Sequence, residues 1–268
     1  MKKIFLIVPV LLLVFALVAG CGGGSQGAKS TSSGGAQAAP KQIKVASDIA
    51  YRPFEFTKNG KPVGFDIDLM RAIGKKAGFT PQFQNVTFDG IIPGLGNNLY
   101  DAAISAMTIT PQREKSVDFS KPYFNSDQSL MVRKGSKITS IDNIGNATVG
   151  VQLGTTGAIE AKKFKKQGKI KGNIRTFDTI TDAFNALENG QIQAIINDFP
   201  VSAYRAKTSG GKLKVVQTFP TGEQYGIAFP KGSKLRPKVD KALAEIKKDG
   251  TYTKIYEKWF GQKPKRIP

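Results

Sequence analysis

The sequence predicts an α/β fold of two units, one over about residues 43–124 and the other over about 125–223. From Ile43 onward, short apolar runs alternate with longer amphipathic runs. Short apolar runs are typical of buried strands and amphipathic runs of surface helices, so the alternation favours two parallel or mixed sheets with flanking helices. After residue 223 the chain continues for longer than a cap on the second unit requires, and this tail must pack elsewhere.

The first predicted strand covers residues 43–47, and the first predicted helix covers residues 65–77. Apolar residues of this helix, including Leu69 and Ile73, lie on one side, and Gly78 is a typical helix stop. The further predicted strands cover about 80–86, 101–106, 147–152, 174–177, 193–197 and 213–216. The further predicted helices cover about 89–97, 156–167, 181–189, 200–207, 234–248 and 252–260.

The first twenty residues have the pattern of a secretory signal peptide. A short basic start is followed by an apolar run from Ile4 to Val18, which is too short and ends too abruptly for a stable membrane span. The ending Val18-Ala19-Gly20-Cys21 resembles the lipobox of bacterial lipoproteins, in which the cysteine becomes the lipid-modified N-terminus. We therefore expect residues 1–20 to be a lipoprotein signal peptide and Cys21 to anchor the protein to the outer face of the bacterial cell membrane. An ordinary signal peptide with an incidental cysteine is the alternative.

Residues 21–42 are rich in Gly, Ser, Ala and Lys and have almost no large apolar side chain. Such a segment cannot bury enough apolar surface to offset the entropy of ordering it, so we expect a flexible tether. Cys21 is the single cysteine of the chain, which excludes an intrachain disulfide. The stability of the folded part must therefore come from burial of its core.

The net charge of +20 raises the question of a nucleic-acid partner. The lysines and arginines are scattered, without the dense clusters or the motifs of nucleic-acid-binding proteins. A cationic, hydrated surface near anionic lipid and wall polymers explains the charge better. We expect no nucleic-acid partner.

Polar and aromatic residues follow the predicted strands at their carboxyl ends, where ligands bind in open α/β sheets. Arg113 follows the third strand and can hold a carboxylate with two parallel hydrogen bonds. Thr155 and Thr156 precede a helix, whose free N–H groups favour an anion. Each has a purely structural alternative: Arg113 can bond Asp118 or the local turn, and the threonines can cap their helix.

A second group of strand-end residues can hold the other end of a small molecule. Asp198 can bind an ammonium group, Tyr51 and Phe88 can sandwich a flat or cationic side chain, and Asp48 can meet a cation or an amide. The alternatives are a helix cap for Asp198 and core positions for the two aromatic rings. A carboxylate site, an ammonium site and a side-chain slot together predict a binding site for an α-amino acid.

Several motifs together resemble the extracellular solute-binding proteins (family 3) of polar amino acid ABC transporters, a family that includes glutamine-, arginine- and lysine/arginine/ornithine-binding proteins. They span essentially all of residues 43–261. The motifs are YRPFEF at 51–56, GFDID at 64–68, FDGIIP at 88–93, MTITPQR at 107–113, VDFSKPY at 117–123, VGVQLGTT at 149–156, QYGIAFPK at 224–231, GTY at 250–252 and WFG at 259–261.

The resemblance implies a two-lobed periplasmic-binding-protein fold (type II), in which two crossovers near 124–127 and 222–225 form a hinge. Lobe 1 would combine residues 43–124 with 224–268, which places the long tail, and lobe 2 would cover 125–223. It also implies that Arg113, with Ser105 and Thr108, clamps the α-carboxylate and that Thr156 adds a donor from the second lobe. The predicted ligand-binding residues are Asp48, Tyr51, Phe88, Ser105, Ala106, Thr108, Arg113, Gln152, Thr155, Thr156 and Asp198.

The predicted function is capture of a polar amino acid by hinge closure and its delivery to an ABC permease with its ATPase. Glutamine-specific members of the family can carry a lysine at the position of Gln152. A neutral Gln152 beside Asp48 favours a basic ligand, arginine or lysine, although the segment around Phe88 also resembles glutamine binders. Glutamine is therefore the alternative ligand. We expect a monomer.

An enzymatic role is the main competing class, because the same fold includes dehydratases. The chain contains no histidine, and its one cysteine is expected to carry lipid, which excludes Ser–His–Asp and Cys–His sites. Acid–base work by Asp48 or Glu55 is the remaining chemistry. We expect no catalysis, no cofactor and no metal site. A sensor of amino acids for a signalling partner is a further alternative.

Overall fold

The computed structural model of the chain describes residues 41–268. The predicted signal peptide, Cys21 and nearly all of the predicted tether lie outside the described residues, so these expectations stay predictions. Within residues 41–268, none of the helices combines the length and the apolar character that crossing a membrane would require.

The strands, in chain order, are β1 (Lys41–Ser47), β2 (Ala50–Tyr51), β3 (Glu55–Lys58), β4 (Lys61–Val63), β5 (Phe79–Asn85), β6 (Ala102–Ala103), β7 (Asp118–Phe119), β8 (Phe124–Arg133), β9 (Val149–Gln152), β10 (Ile174–Phe177), β11 (Ala194–Asp198), β12 (Leu213–Tyr225) and β13 (Ala228–Phe229). The α-helices are α1 (Phe65–Ala77), α2 (Phe88–Gly96), α3 (Pro111–Glu114), α4 (Thr156–Lys166), α5 (Ile180–Glu188), α6 (Phe199–Thr208), α7 (Leu235–Lys248) and α8 (Thr251–Phe260). Ile141–Asn143 form a 3₁₀ turn.

The first sheet has the strand order β5–β1–β6–β13–β7. β1 is parallel to β5 and β6, whereas β13 runs antiparallel to β6 and β7. The predicted apolar stripe of α1 is confirmed, because Leu69, Met70 and Ile73 are fully buried. α1 ends where Gly78 takes the left-handed conformation, with φ 77°, in which a side chain would be strained.

The second sheet has the order β10–β9–β11–β8–β12, and β8 runs antiparallel to both of its neighbours. The sequence analysis assigned no strand to Phe124–Arg133, which is wrong. The first half of β8 contains Asn125, Ser126, Asp127, Gln128 and Ser129, and this polar run hides the apolar pattern of a buried strand.

The chain passes between the two sheets through two strands that lie side by side. Phe124, at the start of β8, pairs with Tyr225, at the end of β12, and Ser126 pairs with Glu223. The ring of Phe124 stacks on those of Tyr225 and Tyr256, with centroid distances of 5.6 and 5.7 Å. These contacts place α8, in the tail of the chain, against Phe124 of the first passage, which in turn packs on Tyr225 of the second.

Two segments in the first half of the chain differ from the predicted elements. The predicted strand at 101–106 forms only at Ala102–Ala103, because the chain turns at Ala106, whose φ of 44° lies in the left-handed region. Residues 50–63 were not assigned to strands and form the antiparallel meander β2–β3–β4. Both segments are set by contacts with distant residues, which a local pattern does not show.

Candidate functional site

Ten of the eleven predicted ligand-binding residues line one narrow cavity between the two sheets. Its volume is about 10 Å³, close to the space that one water molecule needs. The eleventh, Asp48, lies directly behind Gln152 and accepts a hydrogen bond from it. The structure thus brings the predicted residues together, and their role in binding stays a prediction. The ten are Tyr51, Phe88, Ser105, Ala106, Thr108, Arg113, Gln152, Thr155, Thr156 and Asp198.

Arg113 is a buried cation, with 9% of its surface exposed. Pro111 begins the short helix α3, and this helix directs Arg113 back toward Thr108. Its guanidinium donates to the carbonyls of Thr108 (2.7 Å) and Gly154 (3.0 Å), and lies 5.1 Å from the ring of Phe88.

In the described part of the chain, no carboxylate forms a salt bridge with Arg113, which excludes the alternative partner Asp118. Burial lowers the pKa of Arg113, and the negative charges of Asp198 and Glu223 partly offset this effect. The guanidinium therefore keeps its charge in a setting where its direct partners are neutral carbonyls. An anion in the cavity would be strongly attracted to it.

The two threonines at the start of α4 have different roles. Thr155 caps the helix, since its hydroxyl accepts from the N–H of Ala158 (3.2 Å) and donates to the carbonyl of Gln152 (2.7 Å). The structural alternative is thus confirmed for the Thr155 side chain, although the residue also lines the cavity. The Thr156 hydroxyl instead donates to the carboxylate of Glu223 (2.9 Å).

Asp198 ends β11 and is 6% exposed. Its carboxylate accepts from the hydroxyls of Tyr51 (2.8 Å) and Tyr225 and from the amide of Gln128 (2.5 Å). The alternative role as a helix cap is wrong, because the side chain makes no capping hydrogen bond to α6. Burial and the nearby charge of Glu223 raise the pKa of Asp198 to about 6, and the three hydrogen bonds limit the rise.

Asp48 and Gln152 connect the two sheets at the other end of the cavity. The Gln152 amide donates to the Asp48 carboxylate (2.6 Å) and to the carbonyl of Asp178 (3.0 Å). Burial raises the pKa of Asp48 to about 6; the bond from Gln152 opposes this rise, and the charge of Asp89 adds to it. Asp48 is 3% exposed, so a cation placed beside it would meet a poorly hydrated negative charge.

A buried pair of acids supports the turn at Ser105 and Ala106. The Ser105 hydroxyl donates to Glu55 (3.0 Å) and accepts from the N–H of Asp48 (3.0 Å), and Asp66 accepts from the N–H of Ala106 (2.7 Å). Burial raises the pKa of both Glu55 and Asp66. The Ser105 side chain is therefore used inside the protein, and Glu55, fully buried, is structural.

The model of one protein family, bacterial extracellular solute-binding proteins, family 3, matches residues 43–262. The chain belongs to this family. The arginine-binding extracellular protein ArtP of Bacillus subtilis (strain 168) is 33% identical to it over 97% of this chain and 98% of ArtP. The ABC transporter glutamine-binding protein GlnH of the same organism is 35% identical over 98% of this chain and 99% of GlnH.

A solved structure of the arginine-, lysine-, histidine-binding protein ArtJ from Geobacillus stearothermophilus resembles this solute-binding protein with a TM-score of 0.78. The two sequences are 38% identical, and the match covers 84% of this chain and 97% of ArtJ. The predicted two-lobed fold with mixed sheets and flanking helices is thereby confirmed. The two five-stranded sheets are the central sheets of this fold, and β2–β4 form a separate three-stranded sheet.

Sequence reasoning missed two polar residues that contact the site of this solute-binding protein. Gln128, on β8, donates to Asp198 and to Thr156 (3.2 Å). Glu223, on β12, accepts from Thr108 and Thr156 (both 2.9 Å). Both lie in the segments where the chain passes between the lobes, and these segments were interpreted only as crossovers. Crossover strands run beside the cleft, and polar residues in them are the signal that could have pointed to the site.

Proposed function

We propose that this solute-binding protein captures an α-amino acid between its lobes, with the α-carboxylate at Arg113 and the α-ammonium at Asp198. The observation that carries the proposal is that buried charges of both signs face one cavity, where Arg113 bonds carbonyls and, among residues 41–268, has no paired carboxylate. An α-amino acid supplies the missing partner to each charge. Charge-assisted hydrogen bonds of this kind contribute about 1.5–3 kcal/mol each.

The side-chain slot favours a basic amino acid, arginine or lysine. Asp48 offers a buried negative charge there, and its partner Gln152 is neutral, so nothing in the pair repels a cation. ArtP and ArtJ, both similar to this chain over most of its length, are arginine-binding by name. Glutamine is the second candidate, because GlnH is as similar as ArtP and because Asp48 and Gln152 can also bond an amide.

Capture requires the two lobes to move apart and close again. The present cavity of about 10 Å³ is far smaller than the roughly 300 Å³ or more of typical small-molecule sites. Bonds that connect the two sheets close it, among them those from Gln152 to Asp48 and from Tyr51 to Asp198. Opening hydrates these groups, and closing around an amino acid gives them new partners, so the ligand favours the closed form.

The closed, loaded protein delivers its amino acid to the permease and ATPase of an ABC importer, as the transporter name of GlnH suggests for its own system. The family is extracellular. We place this protein at the outer face of the cell membrane, held by lipid on Cys21, as a monomer. Replacing Cys21 with serine should release the protein into the medium, and continued membrane association of that variant would contradict the anchor.

Binding occurs without reaction. The curated relatives above are named as binding proteins, and the chain lacks histidine, the most common acid–base catalyst. Of the two acids considered for catalysis, Asp48 is bonded to Gln152, and Glu55 is fully buried and bonded to Ser105. Incubation of the protein with its best ligand should leave the ligand unchanged by mass spectrometry, whereas appearance of a product would contradict this part of the proposal.

A thermal-shift panel of the common amino acids, followed by calorimetry on those that bind, tests the function. A ligand stabilises the folded protein by RT ln(1 + [L]/Kd), so arginine or lysine should give the largest shift. Asp48→Asn is the matched variant, since it keeps the size of the side chain and removes the charge. A shift with glutamine alone would overturn the preference for basic ligands, and no shift with any amino acid would overturn the function.

A further inference from the structure

Glu223 joins the two lobes inside the proposed site through a single carboxylate oxygen. Its Oε2 accepts from the hydroxyl of Thr108, which follows the first sheet, and from that of Thr156, which begins α4 on the second (2.9 Å each). The Gln128 amide nitrogen lies 3.1 Å from the same oxygen, and its two protons are shared among Asp198, Glu223 and Thr156. Glu223 itself lies on β12, in one of the passages between the lobes.

These contacts determine the direction of both threonine hydroxyls. An ionised carboxylate only accepts hydrogen bonds, and a hydroxyl has one proton to donate. Because Thr108 and Thr156 both donate to Glu223, neither hydroxyl has a proton left for the α-carboxylate of a ligand. The Gln128 amide also faces the Thr156 oxygen (3.2 Å) and makes no hydrogen bond to Thr108, which leaves the Thr108 oxygen with the larger free accepting capacity toward the cavity.

We propose that Glu223 is a positioning residue that turns the Thr108 hydroxyl into an acceptor for the α-ammonium group of the bound amino acid. The inference rests on the proposed function, and it replaces the expectation from the family resemblance that the hydroxyls of Thr108 and Thr156 serve the α-carboxylate. That group is held by Arg113 and by the N–H groups at the start of α4, which helices present to anions. The ammonium then lies between Asp198, Thr108 and the charge of Glu223.

The charges around the cavity support this polarity. Asp198 and Glu223 are close enough for the charge of Glu223 to raise the pKa of Asp198, so two negative groups repel each other at this end. A cation between them relieves the repulsion. Arg113, on the same cavity, is oriented by the carbonyls of Thr108 and Gly154. The cavity thus offers the carboxylates of Asp198 and Glu223 to the ammonium group and the guanidinium of Arg113 to the carboxylate group.

The test compares a ligand with its analogue that lacks only the α-amino group. The two pairs are L-arginine with 5-guanidinopentanoic acid and L-glutamine with 4-carbamoylbutanoic acid, and calorimetry measures the affinity ratio in each pair. Glu223→Gln should lower the ratio about tenfold or more, the effect expected from losing one charge-assisted hydrogen bond. The affinity for the desamino compound should stay the same. Glu114→Gln, which removes an exposed carboxylate one residue from Arg113, is the matched control and should leave the ratio unchanged.

Thr108→Val is the second variant, and it should lower the same ratio by a similar factor. In the Thr108→Val background, Glu223→Gln should have no further effect on the ratio, because the two residues act through one hydroxyl. An equal loss for a ligand and its desamino analogue in Glu223→Gln would show a merely structural role and overturn the inference. Tighter binding of the amino acid would overturn it too, since Glu223 would then be competing with the ligand carboxylate.

Measurements on the wild-type protein distinguish failure of the proposed function from failure of the role of Glu223 alone. If it binds neither L-arginine nor L-glutamine more tightly than their desamino analogues, the proposed function fails and the role of Glu223 fails with it. If the wild type shows a clear preference for the amino acids and the variants keep that preference, only the role of Glu223 is overturned.

Discussion

Acidification should weaken the binding of arginine much more than that of glutamine. Between about pH 7.5 and about pH 5, we expect the affinity for L-arginine to fall about a hundredfold and that for L-glutamine about tenfold. The difference arises because arginine needs two ionised carboxylates, Asp198 for its α-ammonium and Asp48 for its side chain. Glutamine needs only Asp198 in ionised form, since its neutral amide can also bond a protonated Asp48.

The magnitude follows from the pKa values of the two groups. Burial raises the pKa of both Asp48 and Asp198 to about 6. The ionised fraction of each is then nearly complete at about pH 7.5 and about one tenth at about pH 5, a factor of about ten per group. Protons compete with a bound cation, so the affinity is lost as the pH falls through 6. Two independent groups multiply to about a hundredfold.

Calorimetric titrations with both amino acids across this pH range measure the two slopes. The guanidinium and α-ammonium groups of the ligand stay charged throughout, so the change belongs to the protein. Asp48→Asn is the control and should give arginine the same, shallower slope as glutamine. Equal slopes for both ligands in the wild type would refute the division of labour between Asp48 and Asp198. Flat profiles above about pH 5 would show that the carboxylates are hydrated in solution before binding and have ordinary pKa values.

Three further substitutions test separate contacts. Arg113→Ala should weaken the binding of every amino acid by about 2–5 kcal/mol in calorimetry, because it removes the buried partner of the α-carboxylate; a loss for arginine alone would contradict this. Gln152→Lys should shift the preference from arginine to glutamine in a competition assay, since it places an ammonium beside Asp48, and an unchanged preference would count against the slot. Asp198→Asn should abolish binding yet stabilise the protein without ligand at about pH 7 by up to about 3 kcal/mol, the equivalent of about two pKa units. Because the pKa of Asp198 is raised in the folded wild type, the free energy of unfolding of the wild type falls as the pH rises from about 4 to 6. The advantage of Asp198→Asn over the wild type in urea unfolding should therefore vanish below about pH 4.

The sequence was sufficient to predict that several residues at the ends of regular strands meet at one place, where they line the same cavity. Arg113, Thr156 and Asp198 come directly after or beside apolar runs, and the ends of such strands meet at one edge of an α/β sheet. Their residue types then indicated a site for a carboxylate group and a site for an ammonium group. The direction of each side chain could not be predicted in this way. Thr155 and Ser105 were expected to face a ligand, and the structure uses their hydroxyls to cap α4 and to bond Glu55.

The missed residues share a physical reason. Gln128 and Glu223 lie on β8 and β12, whose polar runs do not resemble buried strands, and their positions depend on the pairing of two segments about a hundred residues apart. The acid pair Glu55 and Asp66 was missed because a local pattern does not show that two carboxyl groups will be buried together. Such groups are recognised only once the burial and the partners of each are known.

A substitution at Tyr51 tests whether the hydrogen bonds between the lobes control the conformation of the protein without ligand. The single hydroxyl proton of Tyr51 is shared between the carboxylate of Asp198 (2.8 Å) and the side-chain oxygen of Asn197 (3.0 Å), so this residue connects the meander of the first lobe with the end of β11 in the second. Tyr51→Phe keeps the ring that lines the cavity and removes these two bonds. Without ligand the variant should populate more open forms, and small-angle X-ray scattering should give a larger radius of gyration than for the wild type.

With saturating ligand the two proteins should be equally compact, because the amino acid supplies its own contacts to both lobes. A radius of gyration that is unchanged without ligand would show that the lobes are already apart in the wild type. In that case the bond from Tyr51 forms only on closure, and Tyr51→Phe should lower the affinity instead. Asp198 is the partner of Tyr51 in either case. A larger radius of gyration without ligand would show that the bond closes the empty protein and that the ligand must displace it. A lower affinity would show that the bond forms with the ligand in place and completes the closed site.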